Sequence, residues 1–378
     1  LVVAGFTGNH NNSRSVSGGP GATEPSRQGD WLTDLWFPHA DLVNAVTQHQ
    51  PDVLFFSGDQ VYEGASPTFA DTRNLELDYL YKWYLWHWAY RELTRDRPTV
   101  TLPDDHDVYQ GNLWGQGGRK APQGQNSGGY VHPAEFVKMV ERTQTSHLPD
   151  PFDPTPVEQG IGVYYTAMTY GRVGFAILED RKFKSGCVGP GLPEMDASRS
   201  DRAFPSDPSV LDVPGLTLLG ERQLAFLHDF AGDWAGQDLK FMVSQSPLAN
   251  LHTHASNGSN FSVNDRDTHG WPAHRRNEAW EIIRKSYMFQ FAGDQHLATV
   301  AHHGVDAPRD AGYSFTVPAF SNFFARCWDP VHNSGGSTNV VSPYKGDFFL
   351  DGNGTLPSGE PNLTSAFPHH FNMLAAAN

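Results

Sequence analysis

Five strand-like segments of this 378-residue chain end in side chains that can offer oxygen or nitrogen to a cation. Asn9 and His10 follow "LVVAGF", and Asp59 and Tyr62 follow "DVLFF" within "SGDQVYEG". Asp104, Asp105, His106 and Asp107 follow "TVTL". Gln245 and Ser246 end "LKFMV", and Asp294 and His296 end "YMFQFAG". Taken singly, an aspartate or asparagine after a strand is a turn or cap residue, and a tyrosine there is a packed aromatic. Five such ends exceed what capping needs. Open α/β sheets bind ligands outside the carboxyl ends of their strands, so one crevice can gather all five.

Carboxylates, imidazoles, carboxamides and a phenol, without a thiolate, suit hard or borderline ions: Fe, Mn, Zn, Mg or Ca. Two such ions about 3.5–4 Å apart and bridged by a carboxylate would clamp a phosphoryl group and generate a nucleophile from water. Asp59, central among the segments, is the natural bridge, with Tyr62 a second ligand from the same turn. A protonated His106 would stabilise the leaving oxygen. Arg181, in "LEDRKF", is a candidate for gripping two phosphate oxygens with its planar guanidinium, or for pairing with Glu179 and Asp180 beside it. Arg119 is a weaker substrate candidate.

Positioning these residues requires an α/β framework, and the chain alternates short apolar strands with helical stretches accordingly. "DWLTDLWFPHADLVNAVTQH" from Asp30 reads mostly as a helix, because Leu35, Leu42, Val43 and Val46 can share a face. "DVLFFS" is a continuous apolar run, as in a strand buried on both sides. "LELDYLYKWYLWHWAYRELT" is an aromatic-rich helix. "AEFVKMVERTQTSH", "GERQLAFLHDFAGDW" and "AHRRNEAWEIIRKS" read as further helices. "GVYYTAMTYGRVGFAILED" reads as two strands turning at Tyr170-Gly171, and "LATVAHHG" and "YSFTVPAF" as an antiparallel pair. The whole chain, 1–378, reads as one domain with long loop insertions near 110–130 and 183–215 and a loop-rich C-terminal extension over 329–378.

A net charge of -15 argues against a nucleic-acid surface. An anionic small substrate stays compatible, since bound cations would dominate the local field. No apolar run approaches the ~20 residues of a membrane span. The start at Leu1, directly in a strand, points to a removed leader and a periplasmic or secreted protein. Two cysteines, Cys187 and Cys327, are too few for a disulfide framework or thiolate cluster, and leave one bridge open.

Together, "GDQVYEG", "DDHD" and "GDQH" resemble the PhoD-like (alkaline phosphatase D-like) metallophosphatases, related to the purple acid phosphatases and the calcineurin-like metallophosphoesterases. "LEDRKF" and "LLGERQLAFL" are similar to two further segments of that family, so the likeness runs from about Leu1 to Phe320. It implies a four-layer α/β/β/α sandwich, with two mixed sheets between helices, and metal-dependent hydrolysis of phosphate mono- or diesters by a metal-activated water. It also implies roles residue by residue. Asp59 bridges the two ions, Tyr62 and His296 bind the first, Asp105 and Asp294 the second, and His106 assists catalysis. Gln245 stands where relatives carry a histidine ligand. The family's cysteine after the first strand is absent, and Asn9 or His10 stands in its place. A degenerate sandwich serving as a binding module, or a hydrolase of another ester such as a sulfate, is the alternative; such a module would be expected to have lost one of these residues.

Overall fold

The computed structural model describes residues 1–12, 35–64, 66–68, 70–188, 192, 212–248, 267, 270–306 and 310–322, and the backbone of 254–255, 326–327, 348–350, 363–365 and 371–377. Most of the 183–215 insertion and of the 329–378 extension, and the side chain of Cys327, lie outside the described residues. The strands are β1 (Val3–Asn9), β2 (Val53–Phe56), β3 (Thr99–Thr101), β4 (Thr166–Tyr170), β5 (Val173–Ile177), β6 (Leu239–Val243), β7 (His254–Ala255), β8 (Phe289–Ala292), β9 (Ala298–His303), β10 (Tyr313–Thr316), β11 (Ala319–Ser321), β12 (Arg326–Cys327), β13 (Phe348–Leu350), β14 (Leu363–Ser365) and β15 (Phe371–Ala377). The helices are α1 (Ala40–Gln48), α2 (Leu75–Thr94), α3 (Ala134–Thr145), α4 (Gly220–Gly232) and α5 (Ala273–Lys285).

Among the described residues the strands form two large sheets, ordered β11-β1-β2-β3 and β13-β14-β15-β9-β10-β8-β6-β5-β4, plus the short β12-β7 pair. Alternation along the strands builds the layers. In β2, Leu54 and Phe56 point to a core shared with the aromatic face of α2 and with α3, including Trp83, Trp86, Tyr90 and Phe136. Phe55 points the other way, into a core between the sheets with Val100, Phe175, Ile177, Val243 and Phe291. Ala176 and Met242 face outward from the second sheet onto Leu227 of α4 and Trp280 of α5. Helix, sheet, sheet, helix: the four-layer α/β/β/α sandwich holds.

Three details differ from expectation. The first sheet is wholly parallel rather than mixed, each pair of β11, β1, β2 and β3 running in one direction. Among the described residues the first helix begins at Ala40, because Pro38 has no N–H to continue a helical ladder and His39 sits at φ 57; positions 30–34 of the expected helix lie outside the described residues. "YSFTVPAF" is two strands: β10 pairs with β9 and β8, and after Val317-Pro318 the chain crosses to pair β11 with β1. Strands β14 and β15 continue the second sheet through β9, so part of the C-terminal stretch is sheet. Cys187 is buried, its Sγ donating to the Asn126 carbonyl (3.6 Å), and a pairing with Cys327 falls outside the described residues.

Beside α1, the His39 ring is buried between Tyr90 and Phe320. Burial lowers its pKa to about 4, against the opposing pull of Asp41. The folded state therefore binds this proton more weakly than the unfolded state. The neutral ring's contribution is fully present above the unfolded pKa of 6.5 and is lost as pH falls towards 4. His39→Asn, which tolerates the left-handed backbone, is expected to flatten the acid limb of a thermal-melting profile taken between about pH 7 and pH 4.

Candidate metal centre

The two "GD" motifs sit where the ends of neighbouring strands pack closely. A Cβ on Gly58 would lie 2.3 Å from Asp104 Cβ, and one on Gly293 only 2.0 Å from Ser57 Oγ. Glycine there lets the ends of β2, β3 and β8 crowd together. The residues that follow are held in left-handed backbone: Asp59 at φ 59, Asp294 at φ 59 and His296 at φ 60. Strained non-glycine residues of this kind concentrate at functional sites.

Around that junction the predicted residues converge. Ligand-capable atoms of Asp59, Asp105 and His106 lie within 4.8 Å of one another, as do those of Asp104, Asp105 and Asp294. Asp59 Oδ2 accepts from the Tyr62 hydroxyl (2.6 Å) and lies 3.9 Å from His296 Nε2. Its other oxygen, Oδ1, is buried and has no hydrogen-bond partner among the described residues. Tyr62 is packed between two imidazoles, with ring centroids 4.0 Å from His10 and 4.3 Å from His106, and its hydroxyl accepts from Asn322 Nδ2 (2.6 Å).

The electrostatics are those of a site short of positive charge. Burial and the neighbouring carboxylates, Asp59 first among them, raise Asp105 well above the usual carboxylate range. Burial raises Asp294 to about 7 despite Arg181. Burial alone would raise Asp59 too, but His106, His296 and Tyr62 together hold it below its ordinary value. Burial and the His106 charge push His10 down to about 3. Burial would also favour a neutral His106, yet Glu63 and Asp59 overcome it and hold the ring protonated up to about 10. The decisive contact is His106 Nδ1 to Glu63 Oε2, 2.7 Å.

Four sequence candidates are placed differently. Asn9 is turned away, its Nδ2 donating to the Gln60 carbonyl (3.0 Å) and its Oδ1 accepting from Tyr90 (2.9 Å). His10, the other residue at that strand end, is the one brought against Tyr62. Gln245 spends both ends of its carboxamide on the framework, accepting from Asp180 N (3.0 Å) and donating to the Pro103 carbonyl (3.0 Å). Arg181 is 1 % exposed and turned onto buried carboxylates. Its Nε donates to Asp104 (2.7 Å), one terminal nitrogen to Asp267 (2.6 Å), and the other to Asp294. Nor does it pair with its sequence neighbours. Glu179 accepts from Tyr164 N (2.6 Å) and faces Lys182 (3.6 Å), while Asp180 binds the backbone of Gln245 and Ser246. Arg119 is turned onto the Ser127 and Gly128 carbonyls.

Asp107 is not a ligand in this arrangement either. Its carboxylate accepts from the backbone N–H of Asp59 (2.9 Å), Val61 (3.0 Å) and Asp104 (2.9 Å), and from Gln144 Nε2 (2.9 Å). It clamps the turns that carry Asp59 and Asp104 together. Glu63, Asn322, Asp267 and Asp107 are the residues that sequence reasoning did not assign to these roles. Of these, Asp107 was already visible at the third strand end, and Glu63 carried a local signal as the acid next to Tyr62.

The sequence matches the family model described as "PhoD-like phosphatase" over residues 36–325. No curated protein matches the chain. Among solved structures it is similar to PhoD, at 17% identity and TM-score 0.54 over 84% of this chain and 56% of that one. The chain thus spans little more than half the length of that relative. It also matches a purple acid phosphatase from yellow lupin (Lupinus luteus) seeds, at 12% identity and TM-score 0.44, over 88% of this chain and 46% of that one. A third match is a dimetal phosphatase from Danio rerio, at 11% identity and TM-score 0.41, over 84% and 87% of the two chains. The family match spans four of the five strand ends singled out in the sequence and well over half of its length, and the chain belongs to the PhoD-like phosphatases.

Proposed function

We propose that this protein hydrolyses phosphate esters at a two-metal centre built on Asp59. The observation that carries this reading is the buried Asp59 Oδ1 without a hydrogen-bond partner among the described residues. A buried carboxylate oxygen left unpaired costs about 1–3 kcal/mol or more. A cation at that point removes the cost. Carboxylate and imidazole donors surround it at the right scale, so the donor set fits the group. His10, Tyr62 and His296 would complete one ion's shell, and Asp105 and Asp294 the other's, with Asp59 between. Lacking a thiolate, the set suits hard or borderline ions.

When bound, the ions polarise the phosphoryl oxygens and render a water nucleophilic near neutral pH. The remaining work belongs to the chain's own side chains. His106, kept protonated by Glu63 through Nδ1, lies beside Asp59 and Asp105 and can give its other ring proton to the departing oxygen. Asp107 fixes the turns that carry Asp59 and Asp104. Arg181 holds Asp104 and Asp294 from behind. A binding module would have no use for this complete set.

The test is elemental analysis of the purified chain with hydrolysis of aryl phosphate mono- and diesters before and after chelation. About two equivalents of metal, and turnover that chelation removes and metal restores, are expected. Wild-type protein with neither metal nor turnover would overturn the reading. Glu63→Gln is expected to lower kcat by about 10–100-fold with KM little changed, since the residue acts only through the orientation and charge of His106. Steady-state kinetics on the same esters measures it.

A further inference from the structure

Helix α2 is apolar on both faces. Its inner face buries Tyr79, Trp83, Trp86, Tyr90 and Leu93. Its outer face exposes Leu77 (62%), Leu80 (42%), Tyr81 (48%), Tyr84 (56%) and Trp88 (45%). The outer residues recur at spacings of three and four, so they form one stripe along the helix. A helix that is apolar all round belongs inside a structure, not on its surface. Nor is the stripe loosely arranged: Tyr84 and Trp88 are in ring contact (6.1 Å) and the Arg91 guanidinium lies over the Trp88 ring (4.6 Å).

We propose that this stripe is a dimer interface, covered by the same helix of a second copy of this chain packed antiparallel about a two-fold axis near Tyr84. Three features select a second copy over another occupant. The first is self-complementarity. Tyr84 lies midway between Leu80 and Trp88, so an antiparallel copy sets Leu80 against the other copy's Trp88 and Leu77 against the other copy's Arg91 stem. The 77, 81, 84, 88 spacing makes a seam of the kind that antiparallel helices pack at shallow angles. The second is charge. The first turn of α2 carries Glu76 and the last turn Arg91, and antiparallel packing brings these together across the axis. The third is area. Half-exposed, side chains of this size present on the order of 100 Å² each, on the order of 500 Å² for the stripe. Two such faces with their polar rims reach the roughly 1,200 Å² at which stable interfaces begin.

The partner would also bear on the candidate metal centre. From the inner face of α2, Lys82 donates to the Tyr62 carbonyl (2.9 Å) and Tyr90 to Asn9 (2.9 Å). Covering the outer face would therefore stiffen a helix that holds two of the ligand-bearing turns.

Sedimentation equilibrium of the full chain over about 1–100 μM tests the proposal. The expected mass is twice the 41.8 kDa of one chain at the upper concentrations. Tyr84→Glu, which places two carboxylates at the axis, is expected to give a monomer with an unchanged circular dichroism spectrum. Should that variant fail to fold, the milder Glu76→Arg is expected to weaken the dimer at least tenfold, and adding Arg91→Glu to restore it. A wild-type monomer throughout the range would overturn the proposal. So would a dimer indifferent to both substitutions, or a monomer that sediments with phosphatidylcholine vesicles, which would assign the stripe to a lipid surface.

Discussion

Asp59→Asn is expected to reduce ester hydrolysis by at least about 10³-fold, which is about 4 kcal/mol of transition-state stabilisation, and to empty the site of most of its metal. The substitution isolates charge from shape. Asparagine accepts the left-handed backbone that Asp59 adopts at φ 59. The backbone hydrogen bonds at this position, to the Asp107 carboxylate and from Asn9 N, do not involve the side chain. What changes is one negative charge that crowds Asp104 and Asp105, both raised by burial and by this neighbour. In metal-free protein the variant is expected to melt somewhat lower than wild type, because His106 and His296, which hold the Asp59 carboxylate below its ordinary pKa, lose their counter-charge, while relieved repulsion with Asp104 and Asp105 offsets part of the loss. Loss of turnover and metal in protein that still folds cooperatively would mark Asp59 as the bridge. Turnover at the wild-type level would end the two-metal reading.

How much of this could be read before the fold was known depended on the range of each interaction. The strands and most helices declared themselves through periodicity, because a strand buried on both faces, such as Val53–Phe56, must be apolar at every position. The convergence of Asp59, Asp105, His106, Asp294 and His296 was legible for a related reason. Strand ends in an α/β layer share one edge, so residues placed there meet. What each polar side chain does at that edge was not legible. Asn9 and His10 are adjacent in sequence and both buried, yet one faces Tyr90 and the other Tyr62. Which of them turns inward is decided by the hydroxyl of Tyr90, 81 residues further along. Gln245 looked like a ligand because it follows a strand, but the competing backbone groups of Asp180 and Pro103 claimed its carboxamide. Asp267, a partner of Arg181, comes from a segment with no periodicity at all. The wholly parallel first sheet was also beyond local reading, since β11 reaches it only after a crossover from the other sheet.

Arg181→Met is expected to cost about 3–5 kcal/mol of folding stability, seen as a lower urea midpoint. The expectation follows from where the guanidinium is. Fully enclosed, it meets three carboxylates, of Asp104, Asp267 and Asp294, two of them at 2.7 Å and 2.6 Å. Methionine matches its volume but leaves those carboxylates facing one another without the cation that offsets their burial. Arg181→Lys is expected to recover only part of the loss, because a single ammonium cannot serve three carboxylates spread around a planar fork. Adding Asp104→Asn to Arg181→Met should restore some stability, since it removes one of the uncompensated charges; a double-mutant cycle reads that coupling. The effect should be larger in chelated protein than in metal-loaded protein, because bound cations would take over part of the same compensation at Asp294. A substrate-gripping arginine behaves in the opposite way, weakening KM and leaving the urea midpoint alone. Arg181→Met with an unshifted midpoint and a raised KM would therefore return Arg181 to the substrate side of the site, and would show that the carboxylate cluster draws its compensation from elsewhere.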